Sequence, residues 1–341
     1  MNQPRVRIGL VGCGVFGHRH AEALHVLSDR VDVVAVADPD RDKAVEVAAI
    51  VGATTVVTDH RELLDHVDAI TIATPHQFHH PIAADAIAAG KHVFLEKPLA
   101  MTEAEGLSLV QAAAEADRVL MVGYPLRHHP LFVRLKQEID SGRWGEPVHA
   151  SLQTQQYLVI PEGHWRGSKA SRGGGSLFSH GCHYIDLLLW ILGDPVRGTH
   201  VGTDHGTPWH VEGETTSHAL LEFSGGRIGH YFGTDVANRC DPHGVHTVHL
   251  TNGTLMLRPR EGILTGSNCD MAEPEVLLQT EPRHKFVHAE LGHFLDCVET
   301  GARPDTDGAR SLQSLRVIWR LYEQERTGGF ADLTGLGLSQ A

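Results

Sequence analysis

The stretch that decides the fold is RVRIGLVGCGVFGHRHAEAL, residues 5–24. It begins with a short apolar run of strand-forming residues. Gly12, Gly14 and Gly17 then form the spacing G-x-G-x-x-G at the start of a segment with helical periodicity. In this strand–turn–helix setting the glycines allow a tight turn, close approach of the backbone to a pyrophosphate, and close packing of helix on strand. The stretch therefore predicts a dinucleotide site at a helix N-terminus.

An acidic residue follows at the spacing that such a site uses. The apolar run VDVVAVAD ends in Asp38, 21 positions after Gly17. A carboxylate there can accept hydrogen bonds from ribose hydroxyls and would repel a 2′-phosphate, which favours NAD. NADP stays possible because Arg41 lies nearby, and the alternative role for Asp38 is a helix cap. The first predicted cofactor-binding residues are Gly12, Gly14, Val15, Phe16, Gly17 and Asp38.

Strand and helix patterns alternate up to about residue 124, which predicts a parallel sheet covered by helices on both faces. Ligands of such sheets lie beyond the carboxyl ends of the strands, here ATPHQFHH (73–80), EKP (96–98) and GYPLRHH (123–129). Residues 125–341 carry strand and hairpin patterns, with Asn252-Gly253 as a hairpin turn. We therefore predict domains at 1–124 and 125–341, with the final helices packing back on the first.

The bulk composition argues against several other classes of protein. A net charge of −13 argues against nucleic-acid binding. No apolar run could span a bilayer, and no signal-cleavage pattern is visible. The five cysteines are dispersed, which predicts reduced thiols and a cytoplasmic protein. They are Cys13, Cys182, Cys240, Cys269 and Cys297.

Several motifs in order give the chain a specific resemblance. AGKHVFLEKPLA (89–100), GYPLRHHP (123–130) and GGGSLFSHGCHYIDLLLWILG (173–193) make it resemble the glucose–fructose oxidoreductase, inositol dehydrogenase and MocA family, abbreviated Gfo/Idh/MocA. The resemblance implies a Rossmann domain followed by an α+β domain with a large open, mostly antiparallel sheet. It implies NAD(P)-dependent hydride transfer with a sugar, cyclitol or related polyol. It also implies a homodimer or homotetramer formed through that sheet.

The resemblance also implies roles for individual residues. Lys97 is implied to be catalytic, because an ammonium can stabilise charge on the reacting oxygen, and a cis bond is expected before Pro98. His183 is implied to be the general base, which suits its ordinary pKa. The further implied cofactor residues are Thr74, Pro75, His79, Glu96 and Lys97, with His76 where the family often has asparagine. The candidate substrate residues are Lys97, Arg127, His164, Trp165, Arg166, Lys169, Arg172, Ser179, His180, His183 and Asp186.

Ser179 departs from the family pattern, which commonly has aspartate there. A serine supplies no negative charge beside Lys97 or His183, which leaves other reaction types open. One alternative is glycoside hydrolysis or elimination through transient oxidation by NAD, with no net redox change. A zinc site at His180, His183 and Asp186 is another, although we expect no metal because nicotinamide chemistry needs none. A regulator that binds the cofactor without catalysis is the last.

Overall fold

The computed structural model describes residues 5–237, 244–282 and 286–341, so Cys240 lies outside the described residues. The strands are, in chain order, β1 Val6–Val11, β2 Val31–Ala37, β3 Thr55–Val57, β4 Ala69–Ile72, β5 His92–Glu96, β6 Leu120–Gly123, β7 Pro147–Gln155, β8 Pro195–Thr203, β9 Thr216–Phe223, β10 Ile228–Thr234, β11 His246–Leu250, β12 Gly253–Arg258, β13 Ile263–Ser267, β14 Glu275–Gln279 and β15 Ala331–Asp332. The helices are α1 Val15–Val26, α2 Arg41–Val51, α3 His79–Ala88, α4 Glu103–Glu115, α5 Pro130–Asp140, α6 Lys169–Arg172, α7 Cys182–Leu192, α8 Val287–Thr300 and α9 Gly308–Thr327. None of the described helices is long and apolar enough to cross a membrane.

The chain forms two compact units. The first runs to residue 125 and takes in residues 286–312, and the second holds residues 126–285 and 313–341. The first unit is thus completed by α8, which comes from the C-terminal part of the sequence. The assignment of cofactor binding to residues 1–124 and of substrate binding to residues 125–341 stays a prediction.

The first unit contains a parallel sheet of six strands in the order β3-β2-β1-β4-β5-β6. The strand order reverses between β1 and β4, and this is the point at which doubly wound sheets bind ligands beyond their strand ends. β1 lies in the middle of the sheet, between β2 and β4, and its Ile8 and Leu10 are fully buried. The parallel sheet that the alternating sequence patterns predicted is confirmed.

Helix α8 packs against α1 within the first unit. Leu24 of α1 and Phe294 of α8 belong to one buried core. The rings of Phe94 and Phe294 meet edge-on with 5.7 Å between centroids, and Arg30 pairs with Asp296 at 2.8 Å. Helix α8, although it comes late in the sequence, therefore supplies part of the hydrophobic core beneath β5.

The second unit is built on a sheet of nine strands in the order β14-β13-β12-β11-β7-β10-β9-β8-β15. All neighbouring strands are antiparallel except β7 and β10, which are parallel. The predicted fold class, a Rossmann domain with a large, mostly antiparallel second sheet, is confirmed. The hairpins do not form a simple meander, because β7 separates the β9–β10 pair from the β11–β12 pair.

The predicted Asn252-Gly253 turn is shifted by one residue. Leu250 pairs directly with Gly253, so Thr251 and Asn252 form the turn and Gly253 begins β12. A Cβ on Gly253 would lie 2.5 Å from the ring of Trp144. The glycine is therefore required by the close approach of Trp144 rather than by turn conformation.

Candidate active site

The glycine turn between β1 and α1 has the geometry that a dinucleotide site requires. Gly12 adopts a φ of +93°, and a Cβ on it would lie 2.7 Å from the carbonyl oxygen of Ala73. A Cβ on Gly17 would lie 2.0 Å from the carbonyl oxygen of Gly12, so only glycine lets α1 approach the turn this closely. A Cβ on Gly14 would meet no atom of the described residues within 4 Å. Backbone atoms therefore crowd Gly12 and Gly17, while the space beside Gly14 is open. This arrangement fits a diphosphate bound at Gly14.

Within the described chain, the N-terminus of α1 has no side-chain cap. Gly14 is the N-cap residue, and the first turn carries no acidic side chain. Val15 is 71% exposed, and the Phe16 ring packs against the guanidinium of Arg19 at 5.0 Å. The first N–H groups of a helix have no intrahelical acceptors and carry the positive end of the helix dipole. These residues therefore fit the charged part of a dinucleotide.

Asp38, at the end of β2, is held by two backbone donors. Its carboxylate accepts hydrogen bonds from the N–H groups of Cys13 at 2.7 Å and Asp40 at 2.9 Å. Asp40, not Asp38, caps α2 by accepting from the N–H of Lys43, so the alternative role for Asp38 is wrong. Burial and the charge of Asp38 raise the pKa of the Cys13 thiol to about 12, which makes this thiol unreactive.

His79 joins two loops at the carboxyl ends of the first sheet. It is fully buried. Its Nδ1 lies 2.7 Å from the carbonyl oxygen of Pro98, and its Nε2 lies 3.0 Å from that of Thr74. Burial lowers the pKa of His79 below its ordinary value. The ring is thus used to hold the backbone beside Thr74 and Pro75, which are partly exposed, rather than to present a polar edge to a ligand.

Lys97 follows β5 and is partly exposed, and the bond from it to Pro98 is cis, as predicted. Glu96, a predicted cofactor contact, is 6% exposed, and its Oε1 lies 3.0 Å from Nε2 of His20. His20 was missed by sequence reasoning. The one feature of the sequence that could have indicated a role for His20 is its position three residues after Gly17, on the buried side of α1.

The segment that leads into α7 is a π-helical turn. It spans Leu177–Gly181, and α7 continues from Cys182. The predicted regular helix, with His180, His183 and Asp186 along one side, is therefore wrong in its first turn. The wider turn brings the rings of His180 and His183 edge-on, 5.7 Å apart, and His183 is only 2% exposed. Such turns are frequent at functional sites.

The aromatic residues beneath this turn are poor candidates for proton transfer. Tyr184 stacks on Tyr231 with 5.3 Å between ring centroids. Burial raises the pKa of Tyr184 to about 12 and that of Tyr231 well above its ordinary value. Both phenols therefore stay protonated near neutral pH. The imidazole rings of His183 and His180 are the remaining candidates at this turn, and Nε2 of His180 lies 3.4 Å from Oγ1 of Thr154.

The last glycine of the motif, Gly175, lies against the carboxylate of Glu214. A Cβ on Gly175 would lie 1.9 Å from its Oε2. Its Oε1 accepts hydrogen bonds from the Leu177 N–H at 2.9 Å and from the Tyr322 hydroxyl at 2.6 Å. Burial and the charge of Glu214 raise the pKa of Tyr322, which keeps this phenol a donor. The carboxylate therefore closes the N-terminus of the π-helical turn and leaves no room for a side chain at residue 175.

Ser179, the departure from the family pattern, accepts hydrogen bonds from a buried arginine. Its Oγ lies 2.9 Å from Nε and 2.5 Å from Nη2 of Arg172. Nη2 also lies 3.4 Å from Oδ2 of Asp235, and both charged side chains are 2% exposed. Gln156 donates to the other oxygen of Asp235 at 2.8 Å. The negative charge beside this arginine is thus carried by Asp235 instead of by residue 179.

Arg127 and Asp186, both predicted to contact substrate, are bound to each other. Nε and Nη2 of Arg127 donate to the two oxygens of Asp186 at 2.6 and 3.1 Å. The side chains are 5% and 2% exposed. Ser314 also donates to Asp186, and the guanidinium lies 4.5 Å from the Trp190 ring. The pair is an internal brace of the second unit, and a contact of either side chain with the substrate stays a prediction.

Residues 161–171, ahead of the glycines, are partly or fully exposed. The guanidinium of Arg166 lies over the ring of Trp165 at 5.4 Å, and His164 caps this turn. The Lys169 N–H donates to Glu212 at 2.6 Å, while its side chain faces solvent. These residues remain predicted substrate contacts. Within the part of the chain that is described, no group of three or more His, Cys, Asp or Glu side chains could hold a metal ion.

A Rossmann sheet with a glycine turn at an uncapped helix N-terminus, followed by a separate α+β unit, indicates a dinucleotide-binding protein. Residues 6–124 match the model described as oxidoreductase family, NAD-binding Rossmann fold. Residues 132–256 match the model described as GFO/IDH/MocA C-terminal domain. The chain belongs to the Gfo/Idh/MocA oxidoreductase family, and its cofactor is NAD.

Relatives align along nearly the whole chain. A 4-carboxy-2-hydroxymuconate-6-semialdehyde dehydrogenase from Sphingobium is 28% identical over 94% of this chain and 98% of that protein. A scyllo-inositol 2-dehydrogenase (NAD(+)) from Bacillus subtilis is 27% identical over 91% of this chain and 92% of that protein. A solved levoglucosan dehydrogenase, in complex with NADH and levoglucosan, has the same fold. It superposes with a TM-score of 0.88 at 21% identity, covering 96% of this chain and 99% of the other.

Proposed function

We propose that this protein is an NAD-dependent dehydrogenase that oxidises a CH–OH group of a sugar, cyclitol or related polyol. The observation that carries the proposal is the buried His183, placed at the junction of a π-helical turn and α7 in a chain with an intact dinucleotide turn. The similarity of the chain to a scyllo-inositol dehydrogenase and to a levoglucosan dehydrogenase supports this class of substrate. The second unit would bind the substrate and the first the cofactor.

His183 would take the hydroxyl proton, which turns the alcohol oxygen into an incipient alkoxide. Lys97 would donate a hydrogen bond to the same oxygen and stabilise its charge. NAD, when bound, supplies the acceptor for the hydride that leaves the carbon. The bond from carbon to hydrogen breaks as the carbonyl forms, so each turnover yields one ketone or aldehyde, one NADH and one proton.

The remaining predicted contacts are proposed with narrower roles. Gly14, Val15 and Phe16 would lie at the diphosphate, and Asp38 at the ribose. Thr74, Pro75 and Glu96 would shape the cofactor side of the loops after β4 and β5. Ser179, His180, Trp165, Arg166 and Lys169 would contact the substrate.

A screen with both cofactors tests the proposal. NADH formation would be followed with scyllo-inositol, myo-inositol, levoglucosan and free aldoses as probes. His183→Asn and Lys97→Met should each lower kcat about 10²–10⁴-fold, the range for loss of a proton-transfer or charge-stabilising group. His205→Asn and Lys43→Met are the matched controls, because both side chains are exposed. Full activity in either active-site variant would remove that residue from the mechanism.

The same screen separates oxidation from glycoside cleavage without net redox change. A dehydrogenase accumulates NADH in proportion to product. A hydrolase of the alternative type would release aryl alcohol from aryl glycosides while the NADH level stays flat. Release of aryl alcohol without NADH would replace our proposal by that alternative.

We also propose a homodimer or homotetramer through the outer face of the second sheet, in the cytoplasm. Val201, Leu220 and Ile228 on that face are 67%, 41% and 44% exposed, which is unusual for a sheet surface left in water. Light scattering would give the mass in solution. Leu220→Lys with Ile228→Lys should reduce it to that of one chain, and an unchanged mass would exclude this face.

A further inference from the structure

Two buried histidines hold the residues on either side of Lys97. His20, on α1, is fully buried and its Nε2 lies 3.0 Å from Oε1 of Glu96. His79, on α3, is also fully buried and its Nδ1 lies 2.7 Å from the carbonyl oxygen of Pro98. The backbone at Lys97 is therefore fixed on both sides by side chains from two different helices.

The contact between His20 and Glu96 is built into the first unit. The His20 ring meets Phe94 edge-on at 5.4 Å, so it is packed in one orientation. Its Nδ1 has no hydrogen-bond partner among the described residues, which leaves Glu96 as the polar partner of the ring there. Gly123 on β6 lies beside the carboxylate, since a Cβ there would be in ordinary contact, at 3.5 Å, with Cδ and Oε2 of Glu96.

A buried carboxylate is costly unless it is paired and hydrogen-bonded. Without the His20 ring, Glu96 would lose this hydrogen bond and the packing beside it, so its side chain would shift and the end of β5 would be held less firmly. Lys97 is the next residue, so its ammonium would move as well. A displacement of about 1 Å at a reacting group can lower the rate about 10²-fold.

We propose that His20 is a positioning residue for Lys97 and acts through Glu96, with His79 acting on the other side through Pro98. The inference rests on the proposed role of Lys97 in catalysis. It also gives α1 a second function. The helix whose N-terminus fits the cofactor diphosphate also fixes the loop that carries the reactive lysine.

The test compares His20→Leu, which removes the ring nitrogens, with His20→Gln, whose amide can donate to Glu96. His25→Leu is the matched control, because His25 lies exposed on the same helix. The main readout is the rate at which trinitrobenzenesulfonate labels Lys97, measured by peptide mass spectrometry. Lys91, also in the first unit, is the internal reference. Labelling needs no substrate, so a failure of the proposed polyol oxidation would leave this test decisive.

We expect His20→Leu to change the Lys97 labelling rate at least about threefold, as local ordering of the loop is lost, with Lys91 unchanged. Where a polyol is turned over, kcat should fall at least about tenfold while the KM for NAD stays within about twofold. His20→Gln should restore both values toward those of the unmodified protein. Unchanged labelling and unchanged kcat in folded His20→Leu would overturn the proposal.

Should His20→Leu fail to fold, Glu96→Met replaces it, since that change keeps a similar volume and removes the oxygen that contacts Nε2 of His20. The same shift in Lys97 labelling is then expected. An unchanged labelling rate in folded Glu96→Met would overturn the proposal equally.

Discussion

Gly175→Ala should destabilise the second unit because the new methyl group displaces Glu214. The Cβ would lie 1.9 Å from Oε2 and 2.1 Å from Cδ of Glu214, far inside contact distance. The carboxylate must withdraw, which breaks its bonds to the Leu177 N–H and the Tyr322 hydroxyl. Bonds to a charged acceptor contribute about 1.5–3 kcal/mol each, so with partial re-pairing we expect a loss of about 3 kcal/mol in the free energy of unfolding.

A double-mutant cycle separates this mechanism from a general effect of adding a side chain. Glu214→Ala alone loses the same bonds and should also cost about 3 kcal/mol. If the methyl acts only through the carboxylate, Gly175→Ala in the Glu214→Ala background should add little, so the double variant also loses about 3 kcal/mol.

Urea denaturation followed by tryptophan fluorescence is the assay. All five tryptophans lie in the second unit, so the signal reports the unit that carries the change. Additive losses in the double variant, about 6 kcal/mol in total, would refute the reasoning. So would a Gly175→Ala variant as stable as the unmodified protein.

Three further outcomes are expected. Asp38→Ala should weaken NAD binding about tenfold, through loss of charge-assisted bonds to ribose, and raise the relative use of NADP, as measured by titration of both cofactors. Asp186→Asn leaves Arg127 buried without its ion pair and should cost about 3–5 kcal/mol in urea denaturation, whereas a loss below about 1 kcal/mol would show that the brace is dispensable. Burial holds the pKa values of His149 and His230 below their ordinary value of 6.5. The unfolded chain therefore binds more protons, so stability should fall as the pH drops below 6.5, and less steeply in the His149→Gln/His230→Gln variant.

The features that sequence reasoning predicted well depend on nearby residues. The glycine turn, the alternation of strands and helices, and the end of α7 before Gly193 all follow from patterns a few residues long. The cofactor side of the site was visible for the same reason. The family resemblance added Lys97 and His183, whose roles no local pattern could supply.

The features that sequence reasoning missed depend on partners far away in the chain. Arg127 and Asp186 are 59 positions apart, and His20 and Glu96 are 76 apart. A polar residue considered alone cannot reveal such a partner, so the ion pair between Arg127 and Asp186 was not predicted. The hydrogen bond between Ser179 and Arg172 was missed for another reason. The two residues are only seven positions apart, but the contact depends on a π-helical turn that the sequence pattern did not predict.

The way the first unit closes has a consequence for synthesis in the cell. Its six-stranded sheet is complete once residue 123 has been made, yet α8 is translated only after about 160 more residues. Until then the faces of Leu24 and Phe94 that α8 covers are exposed, and the nascent chain carries an apolar surface. The last step in folding of this unit therefore waits until α8 has been made, and a fragment ending at residue 125 should aggregate when expressed alone. Co-expression of residues 286–312 as a separate peptide would be expected to improve its solubility.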